Sequence, residues 1–184
     1  MVLYINYNVN KICKTLLQEQ LDKMELKYVL LSLGEVQLKE PISETALQQL
    51  NSNLNQCNIE IVESQKSILV QRIKDAIIEM VFTDEKMPIK FSAYLTDKLN
   101  YNYNYLANLF SSETFTSIEK FILLQKTERA KQLLAQNKLN ITEIAWKLNY
   151  SSTAHFSNQF KSITGITPTV FQKIILKKRE VNND

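Results

Sequence analysis

Two stretches of this chain repeat one another, and the repeat limits the possible folds more than any other feature. Aligning LTDKLNYNYNYLANLFSSETFTSIEKF, from Leu95, with IAWKLNYSSTAHFSNQFKSITGITPTVF, from Ile144, pairs Leu99 with Leu148, Asn100 with Asn149 and Tyr101 with Tyr150. With one extra residue in the second turn, Leu106 pairs with Phe156, Asn108 with Asn158, Phe110 with Phe160, Thr114 with Thr164 and Phe121 with Phe171. Two copies of one supersecondary unit follow. Each reads as a short apolar helix, a tight turn and a second helix with an aromatic or Leu four residues before a Phe, the layout of a helix-turn-helix. Such a turn needs a residue that tolerates positive φ; after Gly, Asn serves best because its short amide satisfies local backbone groups. Asn100 and Asn149 stand at those places. Helical hairpins repeated as packing modules would give the same pattern, so the repeat by itself leaves the function open.

The rest of the chain agrees with a helical protein. Only two glycines and three prolines interrupt it, and Leu, Ile, Lys, Gln and Glu recur at helical spacing. With 45% apolar and 22% charged residues it can bury a core. No apolar run approaches the roughly 20 residues that span a bilayer, and the opening MVLYINYNVN lacks the regions of a secretory leader. A cytoplasmic protein with no membrane partner is expected. Cys13 and Cys57 are too few for a disulfide framework and suit a reducing compartment, with a single bridge left open. The net charge of +3 is unevenly spread: residues 1–63 sum to −3 and residues 64–184 to +6. A localised basic excess is the footprint of a polyanion partner, although a solvated helical surface would look alike.

Before the repeats, Val2 to Tyr7 (VLYINY) favours a strand. A helical pattern follows, with Ile12, Leu16, Leu17, Leu21 and Met24 on one face. Lys27 to Leu33 and Glu35 to Lys39 suit two strands about Gly34. Ser43 can cap a helix presenting Ala46, Leu47, Leu50 and Leu54, and Asn58 to Val62 alternates as a last strand. The order βαββαβ predicts an α+β ferredoxin-like domain over residues 1–63. A continuous helix from Ser64 is expected to end at Asp84, Glu85, Lys86 and Pro88. Residues 64–178 form the second, all-α domain, and residues 179–184 a polar tail.

From about Ile68 to Leu176 the chain resembles the AraC/XylS family DNA-binding domain, above all in ITEIAWKLNYSSTAHFSNQFKSITGITPTVFQ, from Ile141 to Gln172. Phe160, Lys161, Gly165, Thr167 and Pro168 fall on the family's signature positions. Asn100 and Asn149 replace the usual turn Gly, and Phe115 replaces the Gly expected after Thr114, which should disturb the turn after the first recognition helix. The resemblance implies two helix-turn-helix subdomains joined by a long helix, Ile118 to Gln136. It also implies a sequence-specific transcription regulator that contacts two successive major grooves of double-stranded DNA.

Carried over by motif, the base-contact positions are Asn104 and Asn108 in the first recognition helix, and Thr153, Ser157 and Asn158 in the second. Tyr103 and His155 are further candidate contacts. Asn pairs bidentately with adenine N6 and N7, so adenine-containing steps are expected. Lys90, Lys126, Lys147 and Lys161 are the candidates for phosphate neutralisation, which gives salt-sensitive affinity without sequence information. Arg129 has Glu128 and Glu143 as candidate partners. His155, the only histidine, has no second histidine or spaced cysteines to make a metal site with it. No metal or cofactor is expected.

The N-terminal order resembles the heavy-metal-associated domain, which uses Cys-x-x-Cys before its first helix. Here that place reads Asn10-Lys11-Ile12-Cys13, so one thiolate is missing and metal sensing is not expected. Family regulators often bind direct repeats as dimers, which makes a homodimer the expected state and RNA polymerase a candidate partner. Two rivals remain. A helical adaptor for other proteins would lack salt-dependent retention on DNA. An enzyme with Cys13 as nucleophile would need activating partners that the sequence lacks, so the chain is read as a non-enzyme.

Overall fold

The computed structural model describes residues 3, 5, 7–83 and 90–181. The chain divides into two compact units, Met1–Asp75 and Ala76–Asp184. Among the described residues no helix is long and apolar enough to cross a membrane.

The first unit begins with α1 (Val9–Lys23), whose N-terminus is closed by the Asn8 side chain accepting from the Lys11 amide. A hairpin follows, β1 (Tyr28–Leu30) against β2 (Val36–Leu38), antiparallel with Tyr28 opposite Leu38 and Leu30 opposite Val36. Ser43 caps α2 (Glu44–Gln56) through the Ala46 amide, as its place before the apolar pattern predicts. Leu21 of α1 meets Leu50 and Leu54 of α2, and Tyr28, Val36 and Leu38 cover this core from the hairpin.

The expected ferredoxin-like sheet is not formed by the described residues. Among the described residues the sheet has two strands. Of the proposed first strand, Val2, Tyr4 and Asn6 lie outside the described residues, while Leu3, Ile5 and Tyr7 are exposed and unassigned to a strand. The proposed last strand is an extended segment. Asn58 turns the chain left-handed at φ 55, Ile59 donates back to the Leu54 carbonyl, and Ile59 and Ile61 lean on the Leu21–Leu54 core. Period-two burial is thus satisfied by side chains alone, without a backbone ladder.

A long helix, α3 (Gln65–Phe82), comes next; the residues expected to end it, 84–88, lie outside the described set. Within the first unit its Asp75, 3% exposed, accepts from the Gly34 amide (3.1 Å), Gln71 Nε2 (2.8 Å) and Ser32 Oγ (3.4 Å). Burial raises the Asp75 carboxyl above the ordinary carboxylate range against these three donors. A Cβ on Gly34 would lie 3.0 Å from the carboxylate, so a larger residue there would press on Asp75.

The second unit is all helix in its described part: α4 (Phe91–Leu99), α5 (Tyr103–Thr114), α6 (Ile118–Gln136), α7 (Ile141–Lys147), α8 (Thr153–Thr164) and α9 (Pro168–Val181). α6 packs on α5, α7, α8 and α9. Its termini are the expected ones, because Ser117 caps one end and Asn137, at φ 55, closes the other. The short α7 is started by a capping box in which Asn140 and Glu143 satisfy each other's backbone amides. Equivalent rings meet in both repeats: Phe110 lies 5.6 Å from Phe121, and Phe160 lies 5.7 Å from Phe171.

Candidate nucleic-acid interface

The turns of the two repeats are built alike. Asn100 ends α4 at φ 58 and Asn149 follows α7 at φ 60, the left-handed geometry that short amide side chains tolerate. Asn102 then caps α5 by accepting from the Tyr105 amide (2.8 Å), and Ser152 caps α8 by accepting from the His155 amide (3.0 Å). Both cap side chains are thus occupied by backbone amides.

At the far ends the repeats also agree, against the expectation for Phe115. That residue adopts φ 54 and ψ 23, and its amide donates to the Ser111 carbonyl just as the Gly165 amide donates to Lys161. Thr114 and Thr164 hydroxyls bond the Phe110 and Phe160 carbonyls at 2.6 and 2.8 Å. The turn is therefore intact. These backbone and threonine bonds impose the left-handed residue whatever its side chain, and Phe115 extends into solvent, 95% exposed.

On α5, Leu106, Leu109 and Phe110 are buried and Asn104, Tyr105 and Asn108 are exposed. On α8, Phe156 and Phe160 are buried, Asn158 and His155 are exposed, and Thr153 and Ser157 are half-buried at the edge of the same face. Asn108 and Asn158 hold the same place in the two helices, four residues after exposed Asn104 and Ala154. Thr153 Oγ1 leans towards Thr142 Oγ1 at 3.4 Å. His155 Nδ1 lies 3.0 Å from Ser151 Oγ, and the ring meets Tyr150 edge-on.

Tyr103 is turned away from this face. Its hydroxyl donates to Glu119 Oε1 on α6; burial and the carboxylate both raise its pKa, and the same bond lowers that of Glu119. The exposed tyrosines are Tyr105 and Tyr101, which stack with centroids 5.3 Å apart. Neither was indicated by motif; the signal available was their four-residue spacing across the Asn102 cap, on the side of Asn104 and Asn108.

The four candidate lysines have different surroundings. Lys90 and Lys161 are exposed, and Lys147 is half-buried. Lys126 is half-buried too, its ammonium 5.3 Å from the Phe91 ring centroid and 4.7 Å from that of Tyr150. Desolvation pushes its pKa down to about 8, and burial pushes that of Tyr150 up to about 12. Arg129 lies on α6 beside Glu128, one of its expected acids, and an aromatic ring. Glu128 pairs with Lys131 at 2.6 Å and Glu143 closes the α7 capping box, while the guanidinium bonds Gln132 and lies over Phe82. Among the described residues no cluster of His, Cys, Asp and Glu could hold a metal.

Known proteins resemble this part of the chain. The family described as "Helix-turn-helix domain" matches residues 95–174. The Msm operon regulatory protein of Streptococcus mutans is 36% identical over 81 residues, covering 44% of this chain and 29% of that protein. The probable transcriptional regulator LumQ of Photobacterium leiognathi is 27% identical over 151 residues, covering 79% and 59%. The chain thus spans less than two thirds of the length of either. Among solved structures, the C-terminal domain of AraT, a response regulator from Geobacillus stearothermophilus, has a similar fold (TM-score 0.52, 24% identity, 60% of this chain and 88% of that one). Residues 95–174 are thus similar to a helix-turn-helix domain, and the C-terminal unit shares the fold of the AraT C-terminal domain.

Proposed function

We propose that this chain is a sequence-specific DNA-binding transcription regulator and not an enzyme, with α5 and α8 entering successive major grooves of one duplex. The observation that carries this reading is the equivalence of Asn108 and Asn158. Both are exposed at the same place on helices that begin at fully used caps and are held by one long helix, α6. Asn104, Thr153 and Ser157 complete the proposed base-reading set, and Lys90, Lys147 and Lys161 supply phosphate contacts. Lys126 is better placed to brace the fold, because two rings cover its ammonium. His155 serves as a phosphate or base neighbour. Relatives named as operon regulators support the reading.

The functional division proposed is residues 64–178 for DNA binding, residues 1–63 for a second role such as homodimerisation, and a polar tail at 179–184. Cytoplasmic action, with RNA polymerase as the downstream partner, completes the proposal. Its test is Asn158→Ala measured against a duplex selected from a random pool and against random DNA. One bidentate adenine contact is worth about 1–3 kcal/mol, so binding to the selected duplex should weaken by that amount while binding to random DNA is spared. Equal losses on both would remove Asn158 from base reading.

A further inference from the structure

We infer that the stacked Tyr101–Tyr105 pair is a specificity element of the first recognition helix, packing against the 5-methyl groups of thymine in the groove that α5 enters. This rests on the DNA-binding reading above.

Three observations lead to it. The two rings lie 5.3 Å apart at an interplanar angle of 24°, yet Tyr101 is 44% and Tyr105 45% exposed. An offset stack holds both rings in one orientation, so an apolar surface is presented to solvent with little side-chain freedom left to lose. The position of Tyr105 is fixed as well, because its amide is tied to Asn102.

The second repeat has different chemistry at the same place. Tyr150, the counterpart of Tyr101, is buried, and His155, the counterpart of Tyr105, meets its ring edge-on and bonds Ser151. One repeat therefore exposes two stacked phenol rings, an aromatic ledge, whereas the other buries its tyrosine and exposes only an imidazole, at the start of otherwise matching helices. Finally, from Leu99 to Ser117 the chain has no Lys or Arg and a single acid, Glu113, whereas α8 carries Lys161. α5 itself therefore brings no cation to the groove, and phosphate contact in the first repeat falls to residues outside it, Lys90 among them. Apolar contact beside Asn104 and Asn108 is what α5 can add, and the major-groove feature that takes apolar contact is the thymine methyl. The preferred first half-site therefore combines adenine, for the asparagines, with thymine, for the tyrosines. A protein partner is disfavoured by the same neighbours, since the ledge is continuous with exposed asparagines suited to base edges.

The test uses the full chain and a duplex selected from a random pool, with each thymine replaced singly by deoxyuridine, which removes only the methyl. At one or more positions the wild type should bind the uracil duplex about fourfold less tightly, the value of one buried methyl-sized group. Tyr105→Ala should bind thymine and uracil equally at those positions, Tyr101→Ala should reduce the preference, and Tyr103→Phe should keep it. Retained binding to random DNA confirms that each variant is folded. A thymine/uracil ratio unchanged in both Tyr105→Ala and Tyr101→Ala, or selected sites without thymine, overturns the ledge while leaving DNA binding intact. A wild type with no sequence preference overturns the DNA-reading proposal itself.

Discussion

At Phe115 a bulky aromatic residue holds a backbone conformation that suits glycine, and its ring touches almost nothing. For an L-residue this region costs about 1–2 kcal/mol. The matching position, Gly165, meets the same hydrogen-bonding demand without that cost. Phe115→Gly should therefore raise stability by about 1 kcal/mol, read as a higher urea midpoint with unchanged m-value. A lower midpoint would mean that the ring makes a stabilising contact. Residue-scale signals in the sequence differed in quality. Asn100 and Asn149 were legible because few side chains tolerate positive φ. The bond of the Tyr103 hydroxyl to Glu119 on α6 was not legible, because motif position does not reveal a partner sixteen residues later.

Elements in the C-terminal unit are joined by Lys126. From α6 it reaches the first residue of α4, Phe91, and the Tyr150 ring in the turn between α7 and α8, so one side chain links parts of both repeats. Its charge is partly stripped of water, and the ring faces return some of that stabilisation. With its pKa lowered from 10.5 to about 8, the folded chain has lost this proton over a range where the unfolded chain still binds it. Stability from this group rises between about pH 8 and 10.5, and its penalty is full below pH 8. The difference in unfolding free energy between Lys126→Met and wild type should thus shift in favour of wild type as pH rises from 8 to 10. A difference constant over that range would place the ammonium in free solvent. Element bounds were legible where caps are specific, as for Ser117 and Asn137 around α6. They were not legible at Asn58 to Val62, where alternation of Ile59 and Ile61 is shared by a paired strand and by an unpaired segment leaning on a core. Only long-range pairing distinguishes the two, and local sequence does not encode it.

For the whole molecule, the repeat carried the architecture of the C-terminal unit, because two copies with matching core positions can be satisfied by few arrangements. The N-terminal unit had no such internal check, and among the described residues its predicted four-stranded sheet is a hairpin on two helices. The proposed function follows the same division: a two-groove reader is assigned to α5 and α8, both packed on α6, and the fold of the first unit names no ligand. The most direct test is hydroxyl-radical footprinting of the full chain on its selected duplex. Two protected segments on one face of the helix, centred about 10 base pairs apart, are predicted for recognition helices in successive major grooves. A single protected segment, or two on opposite faces, would contradict simultaneous reading by α5 and α8.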